Sequence, residues 1–267
     1  MRSVQVGEDS YFLRPDSIGI ADGVGGWATR PGANPAMFSR LLMHFCSVEL
    51  SRFDWRHEHL DPVEVMHRAW ERCVRVARRE GILGSTTALL ALLRKDELRI
   101  ANLGDCVLLI VRKGELLFRS QEQQHSFNFP VQLGMMPRRD CGRWTIKVQK
   151  GDIIIVASDG LVDNLFDDDI IEEVQRFAPP PSSPDEALAS RAKAISQDAK
   201  AIVSPFQQRA TEEGLHYVGG KHDDISVLVA VVGEAAAGGG GGGGGGAAGA
   251  DGGEGAEGGG GLELRAR

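Results

Sequence analysis

Acidic residues beside apolar runs are the part of this sequence equipped to do chemistry. They recur at Glu8-Asp9 in VGEDSYF, Asp22 in IADGVGGWATRPG, Asp105 in NLGDCV, Asp159 in IVASDGLVDN and Asp223-Asp224 in GGKHDDISVL. Each borders a segment whose apolar residues must be buried. The carboxylates are therefore drawn to sheet edges, and in a sandwich of sheets they converge at one end. Clustered carboxylates in a cleft of low effective dielectric repel one another unless protonated or bridged by cations. Convergence thus implies a divalent site, and oxygen-only donors favour Mg²⁺ or Mn²⁺ over zinc. Taken singly, each acid has a plainer reading. A D-G or G-D pair is commonly a turn, Glu8-Asp9 an exposed edge, Asp223-Asp224 a strand entry, and Asp163 a first-turn helix charge that favours the dipole.

The stretch around Asp22 also fits a dinucleotide loop, since Gly23, Gly25 and Ala28 have G-x-G-x-x-A spacing. That chemistry needs a helix starting inside the glycine motif to receive the pyrophosphate. Pro31, Gly32 and Pro35 follow at once and break such a helix. The acid remains the better ligand in this stretch.

The elements that must position the acids follow from periodicity. Apolar residues at Met37, Leu41, Leu42, Phe45 and Val48, and again at Val63, Met66, Trp70, Cys73, Val74 and Ala77, have helical spacing. Asp61 with Pro62 supplies a helix start and Gly81 a stop. The period then becomes that of strands over 85–93, 97–104, 106–120, 143–158 and 224–232, with tight turns at Lys95-Asp96, Lys113-Gly114 and Lys150-Gly151. Links this short call for antiparallel neighbours. Two further helices are predicted over 166–177 and 185–202. The order predicts an α+β protein of packed antiparallel sheets with helices outside, not a doubly wound parallel sheet.

The chain has 267 residues, with Lys+Arg 30 against Asp+Glu 37 and a net charge of −7. Without a basic stripe, no nucleic-acid partner is expected. Cys46, Cys73, Cys106 and Cys141 lie far apart with no C-x-x-C, which suggests reduced thiols and an intracellular setting. No membrane span or secretory leader is visible. About half of the 35 glycines follow Val232. Residues 233–267 therefore read as a Gly-rich disordered tail, leaving 1–232 as the folded domain.

In order, G-E-D, A-D-G-x-G-G-W, S-T-T-A, N-L-G-D, A-S-D-G-L-x-D and G-G-K-x-D-D-I-S-V-L resemble the motifs of the metal-dependent protein serine/threonine phosphatases, the protein phosphatase 2C (PPM) family. The likeness spans residues 7 to 232 and is greatest to the small organellar branch in which D-G-V-G-G-W replaces D-G-H-G-G. It implies two stacked antiparallel β-sheets flanked by α-helices, a four-layer αββα sandwich, with a binuclear Mg²⁺/Mn²⁺ site at one end. By this resemblance Asp22 bridges both ions, the Gly23 carbonyl holds the first, and Asp159 and Asp223 hold the second. Glu8 and Asp9 act through bound water, and Asp105 with Asp159 holds a weaker third ion.

The implied reaction is hydrolysis of phosphoserine and phosphothreonine in proteins by a metal-activated water, with Asp22, Asp159 and Asp223 catalytic through that water. A phosphoprotein substrate, a monomer and a mitochondrial or plastid address accompany it, although no transit peptide is visible. Three departures from the family pattern stand out. Val24 occupies the position of a His that donates a proton to the leaving group, which makes His125 a substitute to consider. Val4 occupies the position of a phosphate-binding Arg, with Arg2 out of register. The usual first strand is not found ahead of Met1. These departures motivate an alternative function, a weak or inactive pseudophosphatase that serves as a metal-dependent docking module.

Overall fold

In a computed structural model of the chain, the described residues are 4–52, 59–134, 140–176, 183–199, 203–235 and 261–266. One antiparallel sheet contains β1 (Val4–Val6), β2 (Asp9–Arg14), β3 (Ser17–Asp22), β4 (Ala88–Arg94), β5 (Glu97–Leu103) and β10 (Gly142–Lys147), hydrogen-bonded in that order. The second runs β13-β12-β11-β6-β7, made from β6 (Val107–Arg112), β7 (Glu115–Arg119), β11 (Ile153–Ala157), β12 (Val227–Glu234) and β13 (Leu262–Ala266). A small hairpin, β8 (Gln124–Ser126) with β9 (Phe129–Pro130), stands apart from both.

The strand period of two sorts the core into three layers. Strand β4 is buried along its whole length because it is covered on both faces. Its Leu89, Ala91 and Leu93 point between the sheets, where they meet Ile18, Ile20, Leu108, Ile110, Ile154 and Val156. Its Ala88, Leu90 and Leu92 point to the other side, under Phe38, Leu42, Met66, Trp70 and Cys73. Those last residues belong to α1 (Pro35–Leu50) and α2 (Pro62–Glu80). Each fully buried leucine in these layers contributes about 1.5–3 kcal/mol of transfer free energy. The outer face of the second sheet is covered in the same way, with Val107, Leu109, Ile155 and Val229 packed against Leu161, Ile170, Val174, Leu188 and Ala192. These side chains come from α3 (Asp159–Val162), α4 (Asp167–Arg176) and α5 (Pro184–Ser196).

The helix ends match their sequence signals. Asn34 accepts from the Met37 amide at 2.9 Å, Asp61 accepts from the Val63 amide at 2.9 Å with Pro62 behind it, and Gly81 is the C-cap of α2. Where the dinucleotide reading needs an α-helix there is a 3-10 turn, Gly25–Thr29, and α1 begins only at Pro35.

Three expectations need correction. The Lys150-Gly151 link does not join neighbours, because β10 pairs with β5 in one sheet while β11 lies between β6 and β12 in the other. Strand β10 alternates half-buried and exposed residues, as an edge strand does, so the chain crosses between sheets there. A further helix, α6 (Pro205–Glu212), starts at Ser204, whose hydroxyl accepts from the Gln207 amide at 3.1 Å.

Finally, 233–267 is not tail throughout. Strand β12 continues to Glu234, and Leu262–Ala266 pairs along it as an edge strand. In LELRA the two leucines face inward, Leu262 partly buried and Leu264 only 4% exposed in the core between the sheets. The Leu264 amide also donates to the Pro15 carbonyl at 2.7 Å, which ties this strand to the opposite sheet. Residues 236–260 lie outside the described residues. A short strand, β1, precedes the G-E-D turn and pairs with β2.

Candidate metal centre

All of the acid-bearing strand ends open onto one end of the sandwich. Asp9 begins β2 and Asp22 ends β3, and the two are direct partners across that pair. Asp105 lies in the turn between β5 and β6, Asp159 follows β11, and Asp223-Asp224 precede β12.

The motifs hold these acids in place through specific contacts. The Asp22 backbone is clamped by the S-T-T segment: its amide donates to Thr87 Oγ1 at 3.0 Å, and its carbonyl accepts from the Thr87 amide at 2.8 Å and Thr86 Oγ1 at 2.7 Å. Among the described residues, the Gly23 carbonyl accepts no hydrogen bond. Ser158 of A-S-D donates its hydroxyl to Asp9 Oδ2 at 2.8 Å and accepts the Ser226 amide at 3.0 Å, joining both sheets at the site. Gly160 must be glycine because a Cβ there would lie 2.1 Å from the Asp224 carbonyl oxygen. Gly7 has φ +56 and a Cβ on it would strike the Asp224 carboxylate, which accepts the Glu8 amide at 2.8 Å.

Burial and mutual charge shift the carboxyl groups of Glu8, Asp9, Asp22, Asp105 and Asp223 in one direction. Asp22 is held well above the carboxylate range, first by loss of solvent and then by the charges of Asp9, Asp159, Asp223 and Asp105. Burial pushes Asp9 up to about 7 against the opposing Ser158 hydrogen bond, with Asp159 and Asp224 adding to the rise. Asp105 is pushed up to about 8 by burial and then by Asp159, partly offset by Lys221. Burial and then Asp159 raise Asp223, while burial, Asp224 and Asp223 raise Glu8.

Every acid singled out in the sequence therefore reaches this end of the molecule, and the structure adds two residues. Asp163 is buried and pushed up to about 7 by burial and Asp159. Its signal was legible, because D-G-L-V-D places Asp159 and Asp163 at i and i+4 on one helical face. Lys221 is the other: its Nζ lies 2.6 Å from Asp159 Oδ2, 2.6 Å from Asp163 Oδ2 and 3.0 Å from Asp223 Oδ2. Burial alone would lower its pKa, but these three carboxylates raise it instead. Arg209 also pairs with Asp163.

The arrangement fits a divalent cation. Asp159, Asp163 and Asp223 each offer a carboxylate oxygen, all within 4.8 Å of one another. Asp9 Oδ1 and Asp159 Oδ1 are buried with no hydrogen-bond partner among the described residues. Buried acceptors are rarely left unpaired without a cation or water to meet them. The residues at the departures from the family pattern do not join the cluster in the same way. Val24 is half-buried beside Ser85, to whose carbonyl its amide donates at 3.0 Å. Val4 is exposed on β1, His125 is exposed on β8, and Arg2 lies outside the described residues.

Comparison with known proteins identifies the family and the fold. The family model described as Stage II sporulation protein E (SpoIIE) matches residues 42–233. The chain is 36% identical over 251 residues to the protein phosphatase PTC7 homolog of Homo sapiens, covering 85% of this chain and 80% of that one. It is 37% identical over 235 residues to the probable protein phosphatase 2C 80 of Arabidopsis thaliana, covering 85% of this chain and 54% of the relative. Among solved structures, the photosystem II phosphatase PBCP superposes with a TM-score of 0.74 at 33% identity, over 85% of this chain and 92% of that one. The catalytic domain of the serine/threonine phosphatase PstP, solved with two manganese ions, shares the fold at a TM-score of 0.58 and 19% identity, over 87% and 96% of the two chains. The chain belongs to the protein phosphatase 2C family of metal-dependent protein serine/threonine phosphatases.

Proposed function

We propose that this phosphatase hydrolyses phosphoserine and phosphothreonine at the acidic end of its sandwich, with two Mg²⁺ or Mn²⁺ ions held by its own carboxylates. The observation that carries this reading is the convergence of Asp9, Asp22, Asp105, Asp159 and Asp223, whose mutual repulsion calls for cations. Asp22 would bridge the two ions, the Gly23 carbonyl would complete the first position, and Asp159 and Asp223 would hold the second. Glu8 and Asp9 would orient bound water, and Asp105 with Asp159 would hold a weaker third ion. Bound there, divalent ions would supply an acidified water for attack on phosphorus and would offset the charge of the phosphate and the leaving oxygen.

The chain's own groups do the positioning. Thr86 and Thr87 fix the backbone of Asp22, and Ser158 orients Asp9. Val24 has no ionisable group, so in this proposal the leaving oxygen is protonated from solvent. The phosphatase domain comprises the elements from β1 to β12 with β13 on its edge, and acts as a monomer on phosphoproteins. The four free cysteines and the organellar branch likeness support a mitochondrial or plastid location. Among the described residues, no helix is long and apolar enough to cross a membrane. The docking-module alternative gains no support from the geometry or from the relatives.

Release of phosphate from a phosphoserine peptide with Mn²⁺ tests the proposal. The expected result is turnover that EDTA abolishes and that Asp22→Ala lowers by ~100-fold or more. Full activity in EDTA, or in the Asp22→Ala variant, would overturn it.

A further inference from the structure

Lys221 sits where a second cation would sit. Its ammonium has three hydrogens, and three carboxylate oxygens surround it: Asp159 Oδ2 and Asp163 Oδ2 at 2.6 Å each, and Asp223 Oδ2 at 3.0 Å. These are the same three residues whose oxygens gather closely enough for a metal ion. One trio of carboxylates therefore has two candidate counter-ions, a resident ammonium and an incoming divalent cation. A divalent ion cannot take these three Oδ2 atoms together while Nζ stays at hydrogen-bond distance from all of them.

The surroundings allow the exchange without unfolding the loop. The Lys221 backbone is pinned on both sides, its amide donating to Asn164 Oδ1 at 2.9 Å and its carbonyl accepting from Asn164 Nδ2 at 2.9 Å. Asn164 Nδ2 also donates to the Gly160 carbonyl at 2.9 Å, which fixes the pair to the start of α3. Only the four-carbon stem has to move, and the lysine stem is the flexible part of that residue. The face of Phe206, with its ring centroid 5.2 Å from Nζ, gives the ammonium an aromatic neighbour outside the carboxylate trio. Asp163 keeps Arg209 as a second partner.

We propose that Lys221 is a built-in counter-cation that holds Asp159, Asp163 and Asp223 together in the metal-free protein and must leave this trio for the divalent ion to enter. It thereby sets the metal affinity of the site. The inference rests on the reading that Asp159 and Asp223 are metal ligands. It makes Lys221 a positioning residue and not a catalytic one. A purely structural lysine would have the opposite effect on binding, because removing it would disorder the trio and weaken the metal site.

The test is Mn²⁺ titration by calorimetry of the full chain stripped with EDTA, together with its melting temperature in EDTA, for wild type, Lys221→Met, Lys221→Arg and Asp159→Asn. Lys221→Met is expected to bind Mn²⁺ about tenfold more tightly, since the binding-competent form no longer competes with an ion pair, and to melt lower in EDTA. Lys221→Arg retains the charge and is expected to stay near wild type in both measurements, and it serves as the readout if Lys221→Met does not fold. Unchanged or weaker Mn²⁺ binding in Lys221→Met, or clearly tighter binding in Lys221→Arg, overturns the proposal. If wild type binds Mn²⁺ and Asp159→Asn does not, such a result removes only the role of Lys221. If Asp159→Asn binds like wild type, the ligand assignment falls as well.

Discussion

Burial pushes Asp9 and Asp105 up to about 7 and 8 in the metal-free fold, far above the roughly 3.9 of an aspartate in an unfolded chain. Between about 4 and 8 these groups bind more protons in the folded form than in the unfolded form, so their contribution to stability is full below about 4 and is lost as pH rises to about 8. In EDTA the melting temperature is expected to fall by several degrees from pH 5 to pH 8, and saturating Mn²⁺ is expected to remove most of that fall. Thermal unfolding followed by circular dichroism checks both. Asp22, Asp159 and Asp223 were legible in the sequence because each interrupts an apolar run with an acid next to a turn. Asp163 looked like a helix-end charge, and Lys221 had no signal of its own. Their meeting depends on the Asn164–Lys221 contact, which spans 57 positions of sequence and which no local pattern encodes.

The elements that carry these residues were read well where the period was clean. Helices α1 and α2 and the strands from β4 to β7 follow from spacing, caps and Lys-Gly or Lys-Asp turns, because local energetics decides them. The sheet joined by β10 was not legible, since a short link fits both a hairpin and a crossover, and only packing against β5 decides. Strand β13 was missed because the glycine run before it dominates the composition of the C-terminal region. Its contribution is measurable. Leu264 is buried between the sheets, so Leu264→Ala is expected to cost about 2 kcal/mol, near the low end for leucine truncation in a core. For a domain of this size that is roughly 4–8 °C in Tm. An unchanged melting curve would mean that this strand does not cover the edge of β12 in solution.

At the scale of the molecule, the sandwich explains how a chain of net charge −7 can handle an anionic substrate. Two antiparallel sheets bring the ends of β2, β3, β5, β11 and the approach to β12 to one place, and their carboxylates make a locally anionic mouth that the proposed cations would convert into a phosphate site. The sandwich was legible from the order of strands and helices, and the metal chemistry from the recurrence of acids at strand ends. The direct test is diffraction at the manganese absorption edge from crystals of the full chain soaked in Mn²⁺. Anomalous peaks are expected at Asp22, with one ion also touching the Gly23 carbonyl and the other touching Asp159 and Asp223. Peaks confined to other surfaces, or none at Mn²⁺ concentrations that support phosphate release, would contradict the assignment.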